Sequence, residues 1–385
     1  MMEERGSKAN ERRRKRADPG APEASGTSRV SGGSSAAETV ARMADAAAAF
    51  IGGLDAQQRS VLNNPFELDG VRRAWSYLPE LVRDGLPLGA LSDPQRKLAH
   101  QLIVASVSMP GYAKVVSIIA MEHVRRAMTL AAQPEIAHMF DPERYCLRVF
   151  GTPGGTEPWG WQLAGHHVSL NFTVTGGRYL SGTPCMFGAV PTQVGTLAPL
   201  ADDEERGYAF VNSLSGAQRA AAIIYHRPPP DFATRILPRI GDVEFPDHVF
   251  EAEPDYTIDD AERSVLSYVR AGPKGVLGAH LAAKHLDALV ELVAGFAGRL
   301  PAEVAAAEMD RLLAAGAEHL AFAWAGGTRP GERHYYRVQG PDLLIEHDNT
   351  QADGNHIHSV WRNPANDFGD DLLADHYRAH HQWEG

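Results

Sequence analysis

The feature that most restricts the fold lies between residues 319 and 362. Three stretches there read as strands, at residues 319–325, 335–339 and 343–347. The turn over residues 325–332 and the Gly340-Pro341 pair separate them, with no room for a crossover helix. Short connections join antiparallel neighbours, whereas parallel strands need a crossover of a dozen residues or more. An antiparallel meander is therefore expected. Residues 145–150 read as another strand and 151–158 as a glycine-rich turn. No GKS or GKT and no helix pattern follows that turn, so it is not a phosphate loop. Residues 159–174 read as a strand pair or one long strand. If the alternation is continuous, Trp161, His167, Ser169 and Asn171 share a polar face, with Gln162, His166 and Leu170 opposite.

Residues 36–133 carry a helical period instead. One signal recurs in and beyond them: Leu54-Asp55-Ala56-Gln57-Gln58, Leu91-Ser92-Asp93-Pro94-Gln95 and Leu214-Ser215-Gly216-Ala217-Gln218. Each places a capping residue three positions before a glutamine, with a leucine ahead of it for a hydrophobic staple. Three helix starts are expected, as recurrent cap chemistry rather than a solenoid repeat. Further helices are expected at residues 259–269, 277–296 and 301–315, and a short one at 371–381 that puts His376 and His380 on one face. Residues 175–206 read as loop and short strand, ending in the acidic run Ala201 to Glu205. The expectation is an α+β fold: a helical N-terminal layer packed on a mainly antiparallel β-sheet with inserted helices. It occupies one domain, residues 36–385, behind a disordered tail at 1–35 that is rich in charge, Gly, Ser and Pro.

Composition narrows the function. A net charge of -11 argues against nucleic acid as a partner of the folded part. The two cysteines, Cys146 and Cys185, give no disulfide framework and no zinc-ligand spacing. No apolar run reaches the roughly 18 residues of a membrane span, and no export signal follows the basic run Arg12 to Arg16. A cytoplasmic enzyme acting on a small-molecule substrate fits these limits.

The chemistry concentrates in residues 335–362 and 159–173. Glu346 and Asp348 share one strand face, and His356 and His358 share another if extended. Imidazoles in this spacing beside carboxylates form the donor set of zinc, manganese or iron sites. His167, His356, His358 and Glu346 are the expected metal ligands. Glu346, Asp348 and Arg362 are the expected catalytic residues, with Asp348 orienting a ligand and Arg362 holding an anionic group. Trp161 and Trp361 are candidates for pocket wall or core, and His123 for reaching the site from its helix.

The strings GHHVSLNFT (165–173), YYRVQGPDLLIEHDNTQADGNHIHSVWR (335–362) and DFGDDLLADHY (367–377) resemble a large bacterial family, the domain of unknown function 3500. The resemblance implies a shared site but no reaction. It implies tyrosine where His347 stands, against an essential role there, and aspartate where Asn363 stands. The leading expectation is a metal-dependent hydrolase. Its rivals are a non-haem iron oxidoreductase, a non-catalytic ligand- or metal-binding protein, and a metal-free acid/base enzyme.

Overall fold

The computed structural model describes residues 35–79, 84–242 and 259–374. The N-terminal tail and the pair His376 and His380 lie outside the described residues. The expected α+β class holds. Eight strands form the body of one sheet: β1 (Cys146–Phe150), β2 (Trp159–Gly165), β3 (Val168–Thr175), β4 (Cys185–Ala189), β5 (Ala321–Gly326), β6 (His334–Gly340), β7 (Leu343–Asn349) and β8 (Ile357–Arg362). They run in the order β1-β2-β3-β4-β8-β7-β6-β5, antiparallel at every step. The expected meander is β5-β6-β7.

The principal helices are α1 (Ala36–Gly52), α2 (Ala56–Leu62), α3 (Asp93–Ser106), α4 (Met109–Ala132), α5 (Ala201–Ser213), α6 (Gly216–Ala222), α7 (Ala283–Ala297) and α8 (Ala302–Ala315). The three expected capping boxes open α2, α3 and α6. The acidic run Ala201 to Glu205 does not end a loop. It forms the first turn of α5, where carboxylates meet the positive end of the helix dipole. Helix α7 starts later than its period suggests, because Val276–Leu277 pairs with the edge of β5.

The boxes of α2 and α6 stand at matching places, because the chain is one architecture built twice. Helices α1 to α4 followed by β1 to β4 match α5 to α8 followed by β5 to β8. In the first half Gln58 Nε2 donates to Ala90 O, and in the second Gln218 Nε2 donates to His280 O. The Leu88 amide donates to Tyr145 O at 2.8 Å, and the Gly278 amide to Leu320 O at 2.6 Å. Gln162 pairs with Asn171 across β2 and β3, and Arg337 with Glu346 across β6 and β7. Even the turn glycines correspond, with Gly151 and Gly326 both at positive φ. Strands β4 and β8 pair with each other and close the two halves into one sheet.

The sheet has two unlike faces, both covered. Leu147, Trp161, Leu170, Phe187, Val338, Ile345 and Trp361 pack under the helices as the main core. The other face carries Arg148, Gln162, Asn171, Arg337, Glu346, Asp348, His358 and Arg362, all buried. Loop residues cover it, with Trp75, Tyr77 and Phe232 in a second apolar cluster. A buried polar face needs internal partners for its groups, and this is where the chemistry collects. Trp161 and Trp361 belong to the helix-side core, not to this face.

Candidate functional site

Residues 159–174 form a hairpin, not one long strand. His166 and His167 are its two-residue turn. The turn shifts the face assignment of β2 by one: Gln162, not Trp161, stands across from Asn171, while Trp161 stacks on Phe172 at 4.9 Å. His167 sits at φ 63, a left-handed conformation uncommon outside glycine. It is held there from both sides. Its amide donates to Tyr77 O at 3.1 Å, and its carbonyl accepts from the Gly188 amide at 2.8 Å. Backbone strain of this kind persists only where the surroundings over-determine it. Gly188 makes the ring's place, since a Cβ there would stand 2.7 Å from His167 Cδ2 and 2.9 Å from the Ile357 carbonyl.

Across this turn stands His356, just before β8, half-buried, with its amide donating to Asn349 Oδ1 at 3.0 Å. His167 Nε2 and His356 Nε2 lie 2.8 Å apart. Either one nitrogen carries a hydrogen for the other, or both lone pairs face one cation. The same separation suits two ligands about 90° apart at the usual metal–nitrogen distance of about 2.0–2.1 Å. Beside them His166 Nδ1 is 2.8 Å from Glu122 Oε1, the buried carboxylate of α4. A carboxylate accepting from Nδ1 fixes the tautomer and leaves Nε2 as a ligand. The ligand atoms of His166, His167 and His356 all lie within 4.8 Å of one another. Burial, then the neighbouring imidazoles, hold His167 and His356 well below the ordinary histidine range. Both are therefore neutral, the form that binds metal.

His358 is different. It shares the neighbourhood, with ring centroids 4.6 Å from His356 and 5.2 Å from His167. Its Nδ1, however, lies 3.1 Å from Asp231 Oδ1 and 3.5 Å from Asp348 Oδ2. Burial pushes its pKa down, but the two carboxylates outweigh this and raise it to about 10. The carboxylates themselves are driven apart. Burial would raise Asp231, yet His358, Arg235 and the Tyr77 hydroxyl, 2.8 Å from Oδ2, hold it below the ordinary value. Burial lifts Asp348 to about 7; the charges of Asp231 and Glu346 add to this and His358 opposes it. The pKa values of the two acids are thus pushed apart around one imidazole.

The structure thus brings His167, His356, His358 and Asp348 together. Glu346 points along the same face but is already engaged: its carboxylate accepts from the Ala233 amide at 2.7 Å, the Thr234 amide at 3.1 Å, Thr234 Oγ1 at 2.5 Å and Tyr335 Oη at 2.7 Å. It anchors the loop that carries Asp231. Arg362 is also tied down, donating to Asp367 Oδ2 at 2.8 Å and Leu237 O at 2.7 Å, with Trp75 against its face. His123 is exposed on α4, one residue from the buried Glu122. Sequence reasoning passed over His166, Glu122, Asp231 and Tyr77. The signal for His166 was Gly165-His166-His167 read as a tight turn. A cavity of about 740 Å³ lies under the covering loops, lined by Arg73, Trp75, Arg148 and Arg239, and another of about 260 Å³ lies beside α8. No site histidine lines either, so the donor chemistry, not the volume, marks the site.

Among the described residues no helix is long and apolar enough to cross a membrane. The family model described as "Protein of unknown function (DUF3500)" matches residues 36–370. No curated protein and no solved structure matches the chain.

Proposed function

The chain belongs to the DUF3500 family, a membership that prescribes no reaction, and from the geometry of the site we propose a metal-dependent hydrolase acting on a small molecule. The carrying observation is the convergence of His167 Nε2 and His356 Nε2 at 2.8 Å beside a histidine oriented by Glu122. His166, His167 and His356 are the ligands, and zinc, manganese or iron suits their nitrogens. A metal bound there lowers the pKa of a water or polarises a carbonyl or phosphoryl oxygen. Asp348, poised near neutrality, takes a proton from the attacking water as its oxygen bonds to the carbonyl carbon or phosphorus. Protonated His358 gives a proton to the leaving group as the scissile bond breaks. His358 Nδ1 keeps its hydrogen towards Asp231 and Asp348, so the proton on Asp348 passes to water and Nε2 of His358 takes one from water, which restores both groups. Asp231 and Tyr77 hold the imidazole in place. Substrate enters from the half-buried side of His356, as His167 and His358 are closed off.

The iron oxidoreductase reading needs two histidines and a carboxylate on one ion. At this site Glu346 is fully engaged, Glu122 pairs with His166 Nδ1, and Asp231 and Asp348 pair with His358. That observation favours the hydrolase. The test is a panel of ester, amide and phosphoester substrates, run on protein stripped with chelator and reloaded with Zn²⁺, Mn²⁺ or Fe²⁺. Turnover should need the metal, and His358→Asn should lower kcat by about 10²- to 10⁴-fold with metal retained. Hydrolysis indifferent to chelator would mean metal-free acid/base chemistry instead.

A further inference from the structure

On the helix face of the sheet, two more histidines meet a carboxylate. His334 and His347 stand on the neighbouring strands β6 and β7, and Glu204 comes from the first turn of α5. Their ligand atoms all lie within 4.8 Å of one another. His334 Nδ1 is 2.8 Å from Tyr208 Oη and 3.0 Å from Glu332 O, so the ring is fixed with Nε2 towards Glu204 Oε1 at 3.7 Å. Among the described residues that Nε2 has no hydrogen-bond partner, nor does either nitrogen of His347, and both side chains are wholly buried. Buried polar atoms left without a partner cost free energy unless something fills the gap. Asn349 Nδ2 donates to Glu204 Oε1 at 2.8 Å, which steadies the carboxylate. The cations nearby, Arg299 and Lys114, are matched by Asp203 at 2.9 and 3.5 Å.

The duplicated architecture supplies a comparison within the chain. The positions of His334 and His347 in the second half correspond to Trp159 and Phe172 in the first. Both are core residues there. The fold therefore accepts apolar rings at these positions, and it does not by itself call for imidazoles.

We propose that Glu204, His334 and His347 form a second metal site, for a first-row divalent ion such as zinc, that pins α5 to the sheet. Two imidazoles and one carboxylate are a common donor set for such ions. The site shares no residue with the His166–His167–His356 set and stands or falls separately from it.

The experiment titrates the metal-free full-length protein with Zn²⁺ by calorimetry, with elemental analysis of the product. The wild type should take two equivalents. His347→Phe, which installs the first half's residue, should take one, and so should Glu204→Gln, which keeps the shape of the side chain. His167→Ala/His356→Ala should also take one, and the combined variant none. Near-UV circular dichroism unchanged in Glu204→Gln separates loss of the site from loss of the fold. If His347→Phe and Glu204→Gln bind as much zinc as the wild type, the second site does not exist. A wild type that binds one equivalent, lost in His347→Phe, supports this site and overturns the other. One equivalent lost only in His167→Ala/His356→Ala does the reverse, and no zinc at all overturns both.

Discussion

Replacing Asp231 by asparagine isolates one charge at the centre of the site. Asparagine keeps an acceptor for the Phe232 amide, which donates to Oδ1 at 2.9 Å, and turns an NH2 towards Tyr77 Oη, whose hydroxyl now donates to Oδ2 at 2.8 Å and in the variant rotates to accept. What disappears is the charge that, with Asp348, raises His358 from 6.5 to about 10. That rise corresponds to roughly 5 kcal/mol in favour of the imidazolium. Asp348 remains in the variant, so about half should be lost, about 2–3 kcal/mol, somewhat below the cost typical of breaking a buried pair. The sign follows from linkage. A pKa raised on folding gives stability that is complete below the unfolded value near 6.5 and lost as pH climbs through the folded value near 10. Urea unfolding of chelator-treated wild type and Asp231→Asn at pH 6 and pH 10 measures this. The gap should be about 2–3 kcal/mol at pH 6 and close to zero at pH 10. An equal gap at both pH values, or none at pH 6, would refute the charged His358–Asp231 pair.

Three further perturbations probe the surroundings. Glu122→Gln removes the carboxylate that orients His166 and should weaken metal binding by about 10- to 100-fold while the fold survives, read by competition with a chromogenic chelator. Gly188→Ala forces a Cβ into the His167 ring and against the Ile357 carbonyl; it should cost about 1–3 kcal/mol and also lower metal affinity, and unchanged affinity would place His167 outside the ligand set. Glu346→Gln turns an NH2 towards a backbone N–H donor, whichever oxygen it replaces, and should lower thermal stability by about 1–3 kcal/mol with metal content unchanged, whereas loss of metal would restore Glu346 as a ligand.

Much of the fold can be read from the residues. The β5-β6-β7 meander follows from its short turns, and the helix starts follow from Asp55-Gln58, Ser92-Gln95 and Ser215-Gln218. Of the duplication, the matching boxes at Asp55-Gln58 and Ser215-Gln218 show in the sequence, while the strands hide it because corresponding positions carry unlike residues: Asn171 answers Glu346, and Phe172 answers His347. Backbone pairing keeps the register while the side chains diverge. The site was partly legible. His167, His356, His358 and Asp348 converge, and His358 Nδ1 faces Asp231 and Asp348, a group whose ligand atoms also lie within 4.8 Å of one another. Asp231 sits in a proline-rich connection with no period to place it, and Glu122 lies on a helix whose contacts with His166 are set by tertiary packing. Glu346 stood out because it shares a strand face with Asp348 close to the His356-His358 pair; in the structure its carboxylate accepts four hydrogen bonds from Ala233, Thr234 and Tyr335.

The most direct test of the central reading is the metal content of untagged protein, by elemental analysis, beside the His167→Ala/His356→Ala variant. The geometry predicts that the variant carries one zinc, manganese or iron fewer per chain than the wild type, and that His358→Asn carries the full amount. Equal metal in wild type and the double variant, or no metal in either after growth with all three ions supplied, would contradict it.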